Sequence, residues 1–408
     1  MTIEWATMIP LIGGSAIGCS QATGTKPAFH LSYDAFKQNE SHLQAYWPDV
    51  VTINLDHSPL PRKRVDFVNS VCPCAGLSSL STKKDCAKNE WMLKTSELVL
   101  EGMRPKVLWG ENAPALFTDA GTDVRESLAR IANKHGYSFS LYKTSTCHHG
   151  IPQKRLRTFY FFWDAPSAPE MQYYDRPHKP FHEYIMDIPE GASGHSTDTC
   201  AIKNIFEYSP VYTQLLKDYR LTHQQFCKKY GDNEHRSLHW HLARSGDKPW
   251  SSSGRKAGNS GLLQDYIEFL ERNHQDHKEL RDLRHAKKKL DMGLNFMSAS
   301  PLFHYDITTA IVGRTLFQGM HPIYPRSMTF REIMHMMGMP HNFKLVSKNI
   351  NDVAQNVPVP TARDMALEVI EFINGNRKLS GHAFLKQDNT KKQIVEAGTL
   401  EKFANGEV

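Results

Sequence analysis

An α/β fold with a largely parallel sheet is predicted for the first half of this chain, with a smaller second domain in its middle. Three observations carry the prediction. Up to about residue 163, short apolar runs alternate with amphipathic stretches, the pattern of strands joined by crossover helices. From residue 164 that pattern weakens and proline, histidine and charge become frequent. Regular patterning returns near residue 307. The expected division is therefore 1–163 for the first part of the sheet domain, 164–306 for the second domain, 307–385 for the return to the sheet domain and its closing helix, and 386–408 for a frayed tail.

In chain order, the apolar runs at Met8–Ile12, Val50–Asn54, Val65–Val68, Val107–Trp109 and Thr158–Trp163 read as strands. Trp91, Leu93, Leu98 and Val99 lie in a segment compatible with a helix between two of them. The small, polar and basic stretch from Ser251 to Gly258 reads as a loop. Leu263, Tyr266, Ile267 and Leu270 then recur at helical spacing, and the segment continues into residues 272–290 with seven Lys/Arg against three acids. Such a run is a solvated helix face or a stripe along a phosphate backbone. Near the end, Met365, Ala366, Val369, Ile370 and Ile373 give a helix one apolar face.

Composition narrows the function classes. With 408 residues, 40% of them hydrophobic, the chain can bury a sizeable core. No run approaches the roughly 20 apolar residues of a membrane-spanning helix. The amino terminus lacks the layout of a secretory signal, so a cytoplasmic protein without membrane attachment is expected. Seven cysteines, odd and sparse, suit reduced thiols better than a disulfide framework. Lys plus Arg exceed Asp plus Glu by 49 to 43, a balance that permits a polyanionic partner.

Several residues could carry chemistry, and each also has a bland reading. Cys74 follows the strand at Val65 in the loop Val71-Cys72-Pro73-Cys74-Ala75-Gly76-Leu77-Ser78; ligands of open α/β sheets bind at such carboxyl ends, though a loop cysteine is more often inert. Glu111 and Asn112 follow the next strand, where a lone Glu commonly caps a helix and Pro114 fits that role. Arg155 and Arg157 share one face of the stretch after Gly150-Ile151-Pro152-Gln153 by the two-residue period, as solvated strand arginines also do.

Taken together and in this order, these motifs resemble the DNA (cytosine-5) methyltransferase family of bacterial or phage type, over most of the chain. Pro73-Cys74, followed by Gly76-Leu77-Ser78, is similar to the family's catalytic motif; Glu111-Asn112 and Gln153-x-Arg155-x-Arg157 match two more. His321-Pro322 and Arg326-Ser327-Met328-Thr329-Phe330-Arg331-Glu332 resemble the motif that supports the DNA-recognition domain, and Gly338-Met339-Pro340 the one that follows it. Gln355-Asn356-Val357-Pro358 looks like the last, with Gln355 where glycine is usual. In the cofactor loop Gly13, Gly14 and Gly18 are kept, while Leu11 stands where the family has glycine.

The resemblance implies a Rossmann-like S-adenosylmethionine-dependent methyltransferase sheet domain with a smaller target-recognition domain. It implies S-adenosyl-L-methionine as methyl donor with no metal, and a monomer acting on double-stranded DNA. Cys74 would attack C6 of a flipped-out cytosine. Glu111 would hold or donate a proton at N3, Arg157 would bond O2, and Arg155 would order the loop or the phosphates around it. Gly13, Gly14, Gly18, Asp34, Asp56 and Asn356 would hold the cofactor. Ser78, Gln153, Arg255, Lys256, Arg326, Thr329 and Arg331 would serve the DNA interface. Three other readings remain: an RNA enzyme using Thr146-Cys147, a catalytically silent DNA-binding protein on the same fold, and a zinc site built from Cys72, Cys74, Cys86 and the Cys147-His148-His149 cluster.

Overall fold

The structure, a computed structural model, describes residues 2–73, 77, 90–193, 196–232, 260–273, 275–276, 278–292, 301–313, 318–347 and 349–404. The chain divides into two units, one formed by Met1–His178 and Met336–Val408 and the other by Lys179–His335. The second unit thus begins and ends later than the expected 164 and 306. Residues 164–178 stay with the sheet: Tyr174, for example, exchanges hydrogen bonds with Asn389 and donates its hydroxyl to Glu368. Residues 307–335 belong to the second unit, where Ser327 bonds both the amide and the carbonyl of Ile202.

The first unit is built on a nine-stranded sheet. Its strands are β1 (Trp5–Met8), β2 (His30–Ser32), β3 (Thr52–Asn54), β4 (Phe67–Ser70), β5 (Val107–Asn112), β6 (Ser138–Ser145), β8 (Leu156–Trp163), β10 (Phe384–Asp388) and β11 (Gln393–Gly398), with a short β7 (Gln153–Lys154) outside the sheet. The order across it is β11-β10-β6-β8-β5-β4-β1-β2-β3. β8 runs antiparallel to β5 and β6, and β11 antiparallel to β10; the other pairings are parallel. The order reverses between β1 and β4, which opens a crevice at their carboxyl ends, the place where open α/β sheets bind ligands.

Strand β1 ends four residues earlier than the apolar run suggests. Ile9 and Leu11 both take φ of 51°, and Pro10 accepts a turn hydrogen bond from Gly13 N–H, so the run Ile9–Ile12 is a tight loop. Left-handed backbone disfavours a β-branched residue, and both side chains hold the conformation because they are buried in the core. Helix α1 (Gly14–Thr23) follows and lies against the long helix near the carboxyl end. A Cβ on Gly14 would meet Asn356 and Val357 at 2.2 Å, and one on Gly18 would meet Ala362 and Arg363 at 2.7 Å. Gly18 therefore lets this helix approach the long one closely, and Gly14 lets it approach the Asn356-Val357 segment just before it.

Helices α2 (Lys37–Tyr46), α3 (Glu90–Gly102) and α4 (Thr122–His135) complete the first half of this unit. Residues 386–404 are ordered structure and not a frayed tail: β10 joins β6, β11 joins β10, and a short terminal helix (Leu400–Ala404) stacks Phe403 on Phe384. Its polar residues are buried in partnership. Asp388 takes a 2.8 Å bond from Lys143, and Asn389 bonds Thr144 and Tyr174.

The second unit is mainly helical, with α5 (Phe181–Tyr184), α6 (Ile205–Tyr208), α7 (Pro210–Tyr219), α8 (His223–Tyr230), α9 (Ser260–Asn273), α10 (Lys278–Asp291), the two-residue β9 (Thr308–Thr309) and α11 (Phe330–His335). Ser209 caps α7, with Pro210 in its first turn, and Thr222 with Gln225 forms a capping box on α8. Tyr212, Leu215, Phe226, Phe303 and Met320 make its core. The first unit then closes with α12 (Ile350–Gln355), α13 (Val359–Ile373) and α14, the terminal helix already described. Among the described residues, no helix is long and apolar enough to cross a membrane.

Candidate active site

Three loops converge on the crevice edge by topology alone. β1 delivers the glycine loop, β4 delivers Val71, Cys72 and Pro73, and β5 ends in Glu111 and Asn112. Val71 N–H bonds the carbonyl of Met8, joining the first two at the point where strand order reverses. Because β8 is antiparallel, its amino end brings Arg157 to the same edge. Cys74 and Ser78 lie outside the described residues, as do Arg255 and Lys256.

Glu111 sits within β5 and not beyond it, only 4% exposed. Its Oε1 lies 2.5 Å from Nε of Arg157, whose side chain keeps 18% of its surface open to solvent. Burial pushes the Glu111 carboxyl above its ordinary range, and Arg157 and then Arg155 oppose that shift. The balance favours a carboxyl that keeps its proton longer than a free glutamate, held beside a fixed cation. That combination can present a proton to a ring nitrogen and a guanidinium to a neighbouring carbonyl oxygen.

Arg155 points elsewhere. It is 1% exposed, and its Nη2 donates to the carbonyls of Ala354 at 2.8 Å and Asn356 at 3.0 Å. Asn356 in turn accepts the N–H of Gly14 at 2.8 Å, the first residue of α1. Gly13, the residue before the helix, has no side chain to cap it and takes φ of 104°, so Asn356 supplies the cap from across the unit. Arg155 and Asn356 are thus positioning residues, linking the β8 edge to the glycine loop.

The other expected cofactor residues stand at neighbouring strand ends. Asp34 follows β2, exposed, and receives Asn54 Nδ2 and His57 Nε2, each at 2.7 Å. The Asn54 bond leads in holding its carboxyl below the usual range. Asp56 follows β3 and accepts the Asp34 N–H. Beside them Trp91 meets the rings of Tyr33 and Phe36 edge-on at 4.8 and 5.1 Å. The buried Tyr33 hydroxyl has no hydrogen-bond partner among the described residues. A carboxylate for ribose hydroxyls, an aromatic wall and an orphaned hydroxyl suit an adenosine-bearing cofactor. Sequence reasoning passed over this aromatic cluster, although Tyr33 directly precedes Asp34 and the apolar spacing of α3 includes Trp91.

A second cluster, around Cys72, underlies the segment that leads to Cys74. Cys72 lies 3.3 Å from Ser70 Oγ and 3.2 Å from Thr95 Oγ1, and burial pushes its thiol up. Cys72 is a packed, protonated thiol, in contrast to the attacking role expected of Cys74.

Four residues expected at the DNA interface are internal. Gln153 is fully buried and donates to the carbonyl of Met336. Arg326 forms a two-pronged pair with Glu332 at 2.7 and 2.9 Å. Thr329 and Glu332 form a reciprocal capping arrangement at the start of α11. Arg331 is fully buried and donates to the carbonyl of Ser193. A charged motif with all its partners inside the protein builds the fold, so direct DNA contact by these side chains is not what this arrangement offers.

The sequence matches the family of C-5 cytosine-specific DNA methylases over residues 8–371. No curated protein matches it. Among solved structures, one from a prophage of E. coli, described as a DNA modification methyltransferase, is 13% identical with a TM-score of 0.54, covering 91% of this chain and 99% of its own. The Entamoeba histolytica methyltransferase EhMeth is 12% identical with a TM-score of 0.48, covering 92% of this chain and 99% of its own. The S. pombe Dnmt2 methyltransferase is 12% identical with a TM-score of 0.45, covering 91% and 99%. At 13% identity the first of these likenesses speaks to the fold alone. With the match spanning most of the chain and the Glu111–Arg157 pair at the edge of an S-adenosylmethionine-type sheet, the protein belongs to the C-5 cytosine-specific DNA methylase family.

Proposed function

We propose that this chain methylates C5 of a flipped-out cytosine in a specific sequence of double-stranded DNA, through a covalent bond between Cys74 and C6. The observation that carries this reading is the buried Glu111 carboxyl, with its raised pKa, paired with Arg157 beside the loop that leads to Cys74. S-adenosylmethionine supplies the methyl group when bound, with Asp34, Asp56 and the Gly13–Gly14 loop as its holders.

C5 of cytosine is a poor nucleophile until the ring is activated. The Cys74 thiolate adds to C6 while Glu111 protonates or holds N3 and Arg157 bonds O2, so electron density gathers at C5. After methylation a base takes the C5 proton and the C6–S bond breaks, restoring the ring and the thiolate. A free thiol near pKa ~8.5 is only a few per cent ionised at neutral pH, so the loop has to favour the anion. Extruding the base costs a few kcal/mol, which contacts to the DNA backbone offset. The second unit, and the Arg255-Lys256 loop with the basic stretch of α10, are the proposed sources of those contacts.

One observation favours RNA as a second reading. Cys147, preceded by Thr146, lies partly exposed just past the carboxyl end of β6, which runs in the same direction as β5 and β4 and so ends at the same edge of the sheet. Transfer of labelled methyl to DNA and to RNA, by wild type, Cys74→Ser and Cys147→Ser, separates the two. Labelled DNA that is lost only with Cys74→Ser is expected. Labelled RNA that is lost with Cys147→Ser would replace the DNA reading.

A further inference from the structure

We infer that a cleft in the second unit, walled by α6, α7 and the start of α8, receives one nucleotide of the substrate DNA. This rests on the proposed DNA methyltransferase reading and adds a contact site to it. The cleft holds about 530 Å³, the size of a small-molecule pocket. Phe206, Leu216 and Leu221 give it an apolar floor, while Lys217, Arg220 and Gln225 stand on its rim. Among the described residues, no carboxylate lines it.

Its composition matches a nucleotide part by part. Phe206 is 37% exposed, unusual for so large an apolar side chain, and its ring is nearly parallel to the Tyr212 ring beneath it, 6.1 Å away. An exposed ring braced from behind is a stacking platform for a base. Lys217 and Arg220 are exposed, and among the described residues neither has a carboxylate partner. Elsewhere in this unit Arg326 pairs with Glu332, Arg284 with Glu271, Lys287 with Asp291 and Lys179 with Asp187. Arg220 ends α7 with φ of 52°, its N–H bonded to Leu216 and Lys217 carbonyls, so the backbone that carries it is fixed by the helix end. Two uncommitted cations beside an apolar floor fit a phosphate flanking a stacked base.

Binding of a labelled duplex, carrying sites that the wild type methylates, is measured against salt for wild type, Lys217→Ala/Arg220→Ala and Phe206→Leu, with cofactor affinity measured in parallel. Removing two phosphate contacts is expected to reduce the slope of log affinity against log salt by about 2. Phe206→Leu keeps the packing on Tyr212 but removes the platform, and is expected to weaken binding about tenfold with the salt slope unchanged. Unchanged affinity and slope in both variants, with wild-type cofactor affinity and melting, would overturn the inference and leave the methyltransferase reading standing. If wild type methylates RNA and not DNA, the DNA reading and this inference fall together.

Discussion

The Glu111 edge of the first unit and the Arg326–Glu332 segment of the second both pair an acid with an arginine in the order their family motifs prescribe, yet they are built for different ends. Arg326 and Glu332 satisfy each other twice over, and the Glu332 carboxylate also accepts the Thr329 N–H while the Thr329 hydroxyl accepts the Glu332 N–H, so the acid is committed within the protein. Glu111 and Arg157 meet through one contact at a strand end, with Arg157 still partly open to solvent and the carboxyl pushed towards its neutral form. The same chemical pair is architecture where its hydrogen bonds close, and where they do not it is the proposed reaction centre.

Exchanging the acid in each pair should break this comparison most sharply. Glu111→Gln is expected to lower kcat by about 10²- to 10⁴-fold, the range for losing a general acid, with little change in melting. Its pH profile gives a second check. A raised pKa means the neutral carboxyl persists to higher pH, so wild-type kcat should fall as pH rises through that pKa, and the limb should vanish in the variant. Linkage has the same sign: ionising the buried carboxyl costs stability, so wild type should lose stability relative to Glu111→Gln as pH rises.

Glu332→Ala should do the reverse. It strands the Arg326 guanidinium and removes half of the α11 cap, for an expected loss of about 3–5 kcal/mol in a urea melt. Turnover per folded molecule should be nearly unchanged. A large loss of turnover in a well-folded Glu332→Ala would break the distinction between the two pairs.

The smallest effect concerns the link between the β8 edge and the glycine loop in the first unit. Asn356→Ala removes the remote cap on α1, with an expected cost of about 1 kcal/mol. Because the cap orders the glycine loop, KM for the cofactor should rise while kcat at saturating cofactor holds. Equal falls in kcat and kcat/KM would place Asn356 in the reaction step itself.

Much of the fold was legible because burial wrote it as apolar runs. β3, β4, β5 and β8 fall within two or three residues of their expected places, and α13 contains the expected face from Met365 to Ile373 but starts earlier, at Val359. β1 was misplaced because Ile9, Leu11 and Ile12 are apolar for the sake of a buried loop, not a strand. β10 was missed for the opposite reason: Lys386, Gln387 and Asp388 read as surface, and only partners such as Glu396, Met171 and Lys143 make them compatible with the interior. Lys143 and Asp388 are far apart in the chain, so no local pattern announces their pairing.

The site was legible in a similar, partial way. Motif order brought Glu111 and Arg157 to one place, and the strand order of the sheet puts them there. The resemblance gave Arg155 an ordering role and Arg157 the cytosine O2, but no local pattern announces what holds Arg155, the pair of carbonyls at Ala354 and Asn356. Likewise Gln153, Arg326, Thr329 and Arg331 carry family identity without exposure. A motif names the residues that matter; partners and burial tell what they do.

The central claim is that Cys74 bonds C6 of a cytosine in duplex DNA while the methyl group is transferred. Covalent trapping on duplex DNA substituted with 5-fluorocytosine, with S-adenosylmethionine, tests it most directly, because fluorine at C5 blocks the final elimination and leaves a working enzyme attached. The account predicts a denaturant-resistant complex that requires the cofactor and disappears with Cys74→Ser. A complex that survives Cys74→Ser, or no complex on sequence-diverse duplex with folded wild-type protein, would contradict it.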